Sequence, residues 1–566
     1  MSFWQRLVLT RRYAPFLVLA AAQLVLVLVA PSVGLTSANG SFGNFGNAPD
    51  LGSGAQADAT PGALQPSAGP SGGGVGTVGP GGRSTVPVNA LGIPAAGDTR
   101  HCVNGKEFGD LTTAPPCVPK WPGGNNGGAT YQGVTADKIE IVYYREKDNP
   151  VVAQIEKQIG VYSDPNDQEA YSKAAEKFIN SRYDFYGRKV HIDMYRSASC
   201  DTAPPKGDCF RNDVRALNDQ FHPFGVIYEN NSNVPEFHDE ATRLGIVSLG
   251  GWHFSDQVFN IPHRPFHYDV YMGGDSQAEI TGEYWCKRLA NKPAKFAGDE
   301  PGSTLRTKVR KVAIITQDTP VNKPSGQHLA DVIHKCDPNF DMRDFIQYSP
   351  DISTATQQAN TQVAQLKADN VTSVLFFGDP IAPLYFTKAC SSQQWYPEHV
   401  LVGSGLIDYD VLGRLYDSEQ WKHAFGPSDI PTPLPLDKSD AAIVWHAAGN
   451  PGPIYSAANL PWSYFNTMAN GLELAGPHLD PGTLERGALT APPLNDYRQT
   501  HDQYHALTVF RPGKYTAITD QREVYWDANA TSLVDGQKGA YVPLNNGARY
   551  APGTWPSGEP TLPPGV

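Results

Sequence analysis

Apolar and polar positions follow two periods along most of this chain. Apolar residues run together over 139–144 as in a buried strand, and residues 167–183 then carry Tyr171, Ala174, Ala175, Phe178 and Ile179 at helical spacing. Val190, Ile192 and Met194 alternate as a second strand, and residues 212–218 read as part of a second helix. The stretch 224–254 shows the pattern in compact form. An apolar run at 224–228 meets a polar loop at 229–233, then a helix opened by Pro235, and a second apolar run at 246–249 ends in Gly250-Gly251-Trp252-His253. In such strand-helix-strand units the strands are parallel, and the loops after them lie side by side where open α/β sheets bind ligands. Asn230, Asn231 and Ser232 offer short side chains that donate and accept hydrogen bonds, and Gly250 and Gly251 leave backbone bare for close approach. The same residue types also make turns and strand ends.

A strand at 266–271 and a helix at 277–289 close this first block. After a polar connection at 295–307 the alternation restarts, with strands at 311–316, 345–348, 371–377 and 400–402 and helices at 326–335, 355–367 and 381–389 between them. Two blocks predict two α/β lobes, each a parallel sheet flanked by helices. Helices at 457–474 and 483–489 and strands at 504–510 and 523–526 then add helices to one block and strands to the other. The chain would cross between lobes more than once, which suits a hinge. The division expected is residues 133–272 plus about 406–500 for one lobe, 273–405 plus about 501–555 for the other, and a tail at 556–566.

The first 36 residues differ from the rest. Arg6, Arg11 and Arg12 precede an apolar run over 14–35, close to the roughly 20 residues that span a bilayer. Positive charge ahead of the run keeps the amino terminus in the cytosol and places the remainder of the chain outside. The segment reads as an uncleaved transmembrane anchor or a signal segment, so the protein is expected on the extracytoplasmic face of the cell membrane, or secreted if cleaved. Residues 37–132 form a Gly/Pro/Ser-rich linker containing a small Cys102 to Cys117 loop.

Seven cysteines fit an oxidising compartment. Cys102 and Cys117 close one short loop, Cys200 and Cys209 another; Cys286 and Cys336, each ending a predicted helix, are a third pair, which leaves Cys390 odd. No Cys-x-x-Cys or Cys/His zinc spacing occurs, so no metal site is assigned. A net charge of -12 with no basic block excludes nucleic acid as a partner.

Gly133-Val134-Thr135 leading into Lys138-Ile139-Glu140-Ile141, the VSLGG strand end at 247–251, Val312-Ala313-Ile314-Ile315-Thr316 before Gly326, and Val374-Leu375-Phe376-Phe377-Gly378-Asp379-Pro380 together resemble the type I periplasmic binding proteins. The branch most resembled serves branched-chain amino acids to ABC importers, and its members are also called extracellular ligand-binding receptors. The resemblance runs from about residue 133 to 555 and implies two lobes, joined by hinge strands, that close on a small molecule without transforming it. It places ligand-binding positions at Tyr144, Arg145, Asn231, Ser232, Gly250, Gly251, Trp252, His253 and Tyr271 in the first lobe, and at Gln317, Asp318, Asp379 and Ser404 in the second. Ser232 matches the serine that helps hold a ligand carboxylate, and Asp379 lies where an acidic residue meets a ligand ammonium. Trp252 and His253 stand where amino-acid binders have a small residue and threonine, and the loop Arg145-Glu146-Lys147-Asp148 stands where small residues are common, which points away from an aliphatic amino acid. Trp252 either stacks on a ligand ring or packs the lobe; Arg145 either pairs with an anionic group or is a surface charge.

The chain has no Gly-x-Ser-x-Gly elbow, phosphate loop or His-Glu-x-x-His, so no catalytic residue, enzyme activity or cofactor is assigned. The function expected is capture of a small polar molecule outside the membrane and delivery to an ABC transporter permease. The alternative is a membrane-tethered sensor or scaffold acting through a partner membrane protein.

Overall fold

A computed structural model describes residues 93, 97–160, 162–201, 206–229, 234–298, 303–403, 405–493 and 506–563. The expected membrane segment at 1–36 and the linker to residue 92 lie outside the described residues. Among those described, no helix is long and apolar enough to cross a membrane.

Two parallel sheets organise the chain. The first contains β1 (Lys138–Arg145), β2 (Lys189–Arg196), β3 (Gly225–Tyr228), β4 (Val247–Gly250) and β5 (His267–Tyr268) in the order β2-β1-β3-β4-β5. The second contains β6 (Val312–Gln317), β7 (Phe345–Tyr348), β8 (Ser373–Phe377), β9 (Glu398–Val400) and β10 (Ala424–Ser428) in the order β7-β6-β8-β9-β10. It is then extended antiparallel by β11 (Gln521–Thr531) and β12 (Lys538–Pro543), with β13 (Arg549–Tyr550) also paired to β11. Each parallel portion starts at one strand, steps to one side for the next, and returns to the other side for the remaining three. This reversal of direction, between β1 and β3 and between β6 and β8, opens a crevice at the carboxyl ends of the strands.

The first sheet is buried on both faces, as a parallel sheet must be. On one face Ile139, Ile141 and Tyr143 of β1 pack with Ile227 and Leu249 against the helices Pro165–Arg182, Asp440–Ala447 and Asn459–Leu474. On the other, Val142 and Tyr144 pack with Val226 and Tyr228 against the helices Gly207–Phe221 and Pro235–Arg243. The helices from 440 to 490 thus belong to the first lobe although the second sheet precedes them in the chain. Residues 406–428, expected with the first lobe, instead belong to the second: β10 pairs with β9, and Ile407, Tyr416 and Trp421 join its core. Of the expected strand at 504–510, the described residues 506–510 form an isolated bridge at Thr508.

Two segments read as linker or tail are packed structure. Phe108, Leu111 and Ala114, inside the Cys102–Cys117 loop, are buried in the first-lobe core. In the second lobe, the fully buried Arg310 donates to both oxygens of Glu398 at 2.8 and 2.9 Å and to Glu559 of the C-terminal segment at 3.0 Å. Disulfides join Cys102–Cys117, Cys200–Cys209 and Cys286–Cys336, and Cys390 is a buried free thiol.

The chain passes between the lobes at 269–273, at 429–439 and again before β11. These passages are knit together by buried acids. Asp269 accepts the backbone N–H groups of His253 (3.1 Å) and Tyr271 (3.2 Å) and the hydroxyl of Tyr464 (3.1 Å), and Thr516 of the third passage forms a backbone bridge with it. Asp429 accepts Gln277 Nε2 at 3.2 Å, while its carbonyl takes Arg549 Nη2 at 2.7 Å.

Candidate functional site

A cavity of about 630 Å³ lies between the two lobes. Its walls contain the residues that both switch points place at strand ends: Arg145 at the end of β1 and Glu146 after it, Glu229 after β3, Gln317 at the end of β6 and Asp379 after β8. The position of these residues follows from strand order alone, since each is the last of its strand or lies within two residues of its end.

On the first-lobe wall the side chain of Arg145 is 12 % exposed and paired with Glu146 and Asp148. Burial on its own would lower the Arg145 guanidinium, but Glu146 and Asp148 hold it above its ordinary value. Tyr162 donates its hydroxyl to the second oxygen of Asp148 at 2.6 Å. Burial pushes the Glu146 carboxyl up to about 7 against the pull of Arg145. Glu229 is pushed up by burial to about 8, with the Tyr143 hydroxyl and Arg145 acting the other way. Its Oε1 accepts Gln168 Nε2 at 3.3 Å, whereas Oε2 is buried with no hydrogen-bond partner.

The second-lobe wall is satisfied within itself. Asp379 Oδ2 accepts the Tyr348 hydroxyl at 2.6 Å and Gln317 Nε2 at 3.0 Å, and Oδ1 accepts the N–H groups of Ile381 (2.7 Å) and Ala382 (3.0 Å) as the helix Ala382–Ser392 begins. Gln317 in turn accepts Asn322 Nδ2 at 2.7 Å. Apolar surface completes the cavity: Trp462 and Leu460 from the first lobe, Ile430, Pro431 and Leu434 from the second passage.

Of the residues expected from sequence, Tyr144, Arg145, Tyr271, Gln317 and Asp379 border the cavity. Tyr144 does so beside a phenol turned away from it, into the aromatic cluster of Tyr195, Phe210, Tyr228 and Phe237, with its hydroxyl donating to Asp213 at 2.7 Å. Arg145 is not a surface charge: Glu146 and Asp148 take its Nη1 and Nη2, and its Nε is buried without a partner. Gly250, Gly251, Trp252 and His253 are absent from the described lining. The turn they form runs behind the cleft floor: Trp252 donates Nε1 to the Glu229 carbonyl at 2.8 Å and lies against Tyr271 with ring centres 4.8 Å apart. Trp252 is therefore lobe packing. His253 Nδ1 faces the Met272 carbonyl at 2.7 Å, which ties the turn to the first passage. Asp318 is half exposed and pairs with Lys323 outside the cavity. Asn231, Ser232 and Ser404 lie outside the described residues.

Sequence reading missed Glu229, Gln168, Tyr143 and Tyr348 as site residues, and also Thr112 and Thr113, which the Cys102–Cys117 loop brings to the cavity wall. Glu229 and Tyr348 had a signal available: both stand at the carboxyl end of a strand beside a switch point. Gln168 and Thr113 had none, because they arrive from elements remote in sequence.

Neither a family model nor a curated protein matches this chain. Among solved structures it is similar to a substrate-binding protein of an ABC transporter from Aeropyrum pernix, at 12% identity and a TM-score of 0.48 over 74% of this chain and 96% of that one. It is similar at 11% identity and a TM-score of 0.47 to a solute-binding protein of an ABC transporter from Rhodopseudomonas palustris BisB5 in complex with 3,4-dihydroxy benzoic acid, over 74% of this chain and 98% of that one. It is also similar at 10% identity and a TM-score of 0.46 to a branched-chain amino acid ABC transporter protein from Thermus thermophilus with bound valine, over 74% of this chain and 97% of that one.

Proposed function

We propose that the chain is an extracytoplasmic solute-binding protein that captures a small polar molecule between its lobes and presents the closed form to an ABC-type importer. The observation that carries this reading is the pair of sheets with one strand order, whose two switch points meet across a 630 Å³ cavity. A ligand touching both walls gains its full set of contacts only when the lobes are together, so binding shifts the population toward closure. The passages at 269–273 and 429–439 supply the pivot. Three disulfides support an oxidising location.

Thermal-shift screening of amines, amino acids, sugars and aromatic acids, followed by small-angle scattering, tests the reading. A ligand at a hundred times its Kd stabilises the folded state by about 2.7 kcal/mol, a shift of a few degrees in Tm. The same ligand should reduce the radius of gyration. A confirmed binder that leaves the particle's dimensions unchanged would sink closure.

A further inference from the structure

We propose that the first-lobe half of the cleft is built to take a positively charged hydrogen-bond donor, a primary ammonium or a guanidinium on an apolar body, with Glu229 as its counterion. This assignment rests on the reading of the cleft as a ligand site and names the class of ligand.

Charge is the first observation. Among the described lining residues Glu146, Glu156, Glu229, Asp351, Asp379 and Asp440 carry carboxylates, against the single cation Arg145. Arg145 is already paired through Nη1 with Glu146 and through Nη2 with Asp148, which neutralise its charge and leave only Nε without a partner. Once Glu229 and Glu146 release their protons, an anionic solute would enter a wall of its own sign at a site shielded from water, where like charges repel strongly.

The second observation is independent of charge and concerns unused acceptors. Glu229 Oε2, Glu146 Oε2 and Gln168 Oε1 are buried with no hydrogen-bond partner, and all three residues line the cavity. Glu146 and Gln168 are 5 % and 4 % exposed. Leaving a buried acceptor unmet costs roughly 1–3 kcal/mol, more when it is charged, so with Glu229 and Glu146 deprotonated these three oxygens make a wall that takes donors. An ammonium has three donors and a guanidinium five. The same wall holds unpartnered donors, Trp462 Nε1 and Arg145 Nε, which would meet an acceptor elsewhere on the ligand. The second-lobe carboxylate is a different case, because Asp379 spends both oxygens on Tyr348, Gln317 and two backbone N–H groups.

Burial makes the Glu229 carboxyl hold its proton to about pH 8, so docking of a cation should expel that proton and tighten as pH rises from 6 to 8.

The test titrates the full chain with tyramine, agmatine and L-arginine, and with benzoate, L-glutamate and L-leucine as anionic and net-neutral controls, by thermal shift and calorimetry. At least one of the three cations is expected to bind, with net proton release measured in two buffers of different ionisation enthalpy, and with at least ten-fold weaker binding in Glu229→Gln. Circular dichroism and the ligand-free Tm of Glu229→Gln should match or exceed wild type, since the substitution removes a buried acid, and Glu146→Gln provides the second variant. Binding of benzoate or glutamate in preference to all three cations overturns the assignment. So does cation binding that neither variant weakens, and so does failure of all three cations to bind. Closure on any ligand is read separately by scattering, so loss of the charge assignment and loss of the binding-protein reading are distinguishable.

Discussion

Asp379 illustrates how a residue in the right place acquires a different task. Family resemblance assigns it to a ligand ammonium, yet it caps the first N–H groups of the helix Ala382–Ser392 and holds Tyr348 and Gln317 in the wall. Asp379→Ala should therefore lower stability by about 1–3 kcal/mol, about 1 from the lost cap and the rest from a buried Tyr348 hydroxyl left without its acceptor. Asp379→Asn retains an acceptor for the helix end and should lose less than half as much. Urea unfolding of the two variants checks this; an alanine variant as stable as wild type would return Asp379 to a purely ligand-binding role. At this scale the sequence identifies strand ends but does not say which way their side chains turn. Tyr143 and Tyr144 both stand near the end of β1, and alternation along the strand sends the first toward the helix Asn459–Leu474 and the second into the aromatic cluster beneath Phe210 and Phe237. Trp252 is ambiguous in sequence for the same reason. It has a positive φ of 42°, a conformation uncommon for a bulky side chain, and that turn aims the indole under Glu229 instead of into the cleft.

Elements, unlike single side chains, are largely legible, and the disulfides show why. Cys200–Cys209 and Cys102–Cys117 are local, so spacing suffices to suggest them, while Cys286–Cys336 needs the helices before and after β6 to pack side by side. Their contributions should differ. Closing a loop removes more unfolded-state entropy the longer the loop, which amounts to about 4 kcal/mol for the separation of 50 residues in Cys286–Cys336 and about 2.6 kcal/mol for the separation of 9 in Cys200–Cys209. Paired alanine variants should accordingly rank in that order in Tm. The shorter bridge has a further role, since the Cys200 carbonyl accepts the Lys147 N–H at 2.7 Å and so steadies the loop bearing Arg145, Glu146 and Asp148. Its loss should weaken ligand binding more than the loss of Cys286–Cys336, despite the smaller stability change. Cys390, buried and with its thiol pushed up by that burial, should resist alkylation until the chain unfolds.

For the whole molecule, two alternating blocks announce two lobes, but hydrophobic periodicity carries no information on which sheet a strand joins. Residues 406–428 fall to the other lobe than expected on that account, and the position of the second passage moves with them. This passage brings together an unusual set of buried charges. Burial pushes Asp408 and Asp429 up to about 7 and Asp269 to about 6; burial also depresses Arg522, to about 9, with Arg549 repelling it. Asp410 is raised by burial too. An acid whose folded value is about 7, against an ordinary 3.8, keeps its proton in the folded state after the unfolded chain has released it. Stability from Asp408 is thus fully present below about pH 4 and is lost as pH rises to 7, by at most about 4 kcal/mol over that range. Buried histidines oppose this trend: burial drives His238 down to about 3 and His399 to about 4, so each favours the folded state more as pH rises toward 6.5. The wild-type profile alone therefore does not isolate the hinge. Asp408→Asn does, because the amide has no proton to lose and leaves the histidines untouched. The difference in Tm between Asp408→Asn and wild type should move in favour of the variant as pH is raised from 4 to 8, with most of the change complete by about pH 7. A difference that stays constant across that range would mean that Asp408 is ionised in the folded chain throughout, balanced there by Arg522, instead of held as a neutral acid.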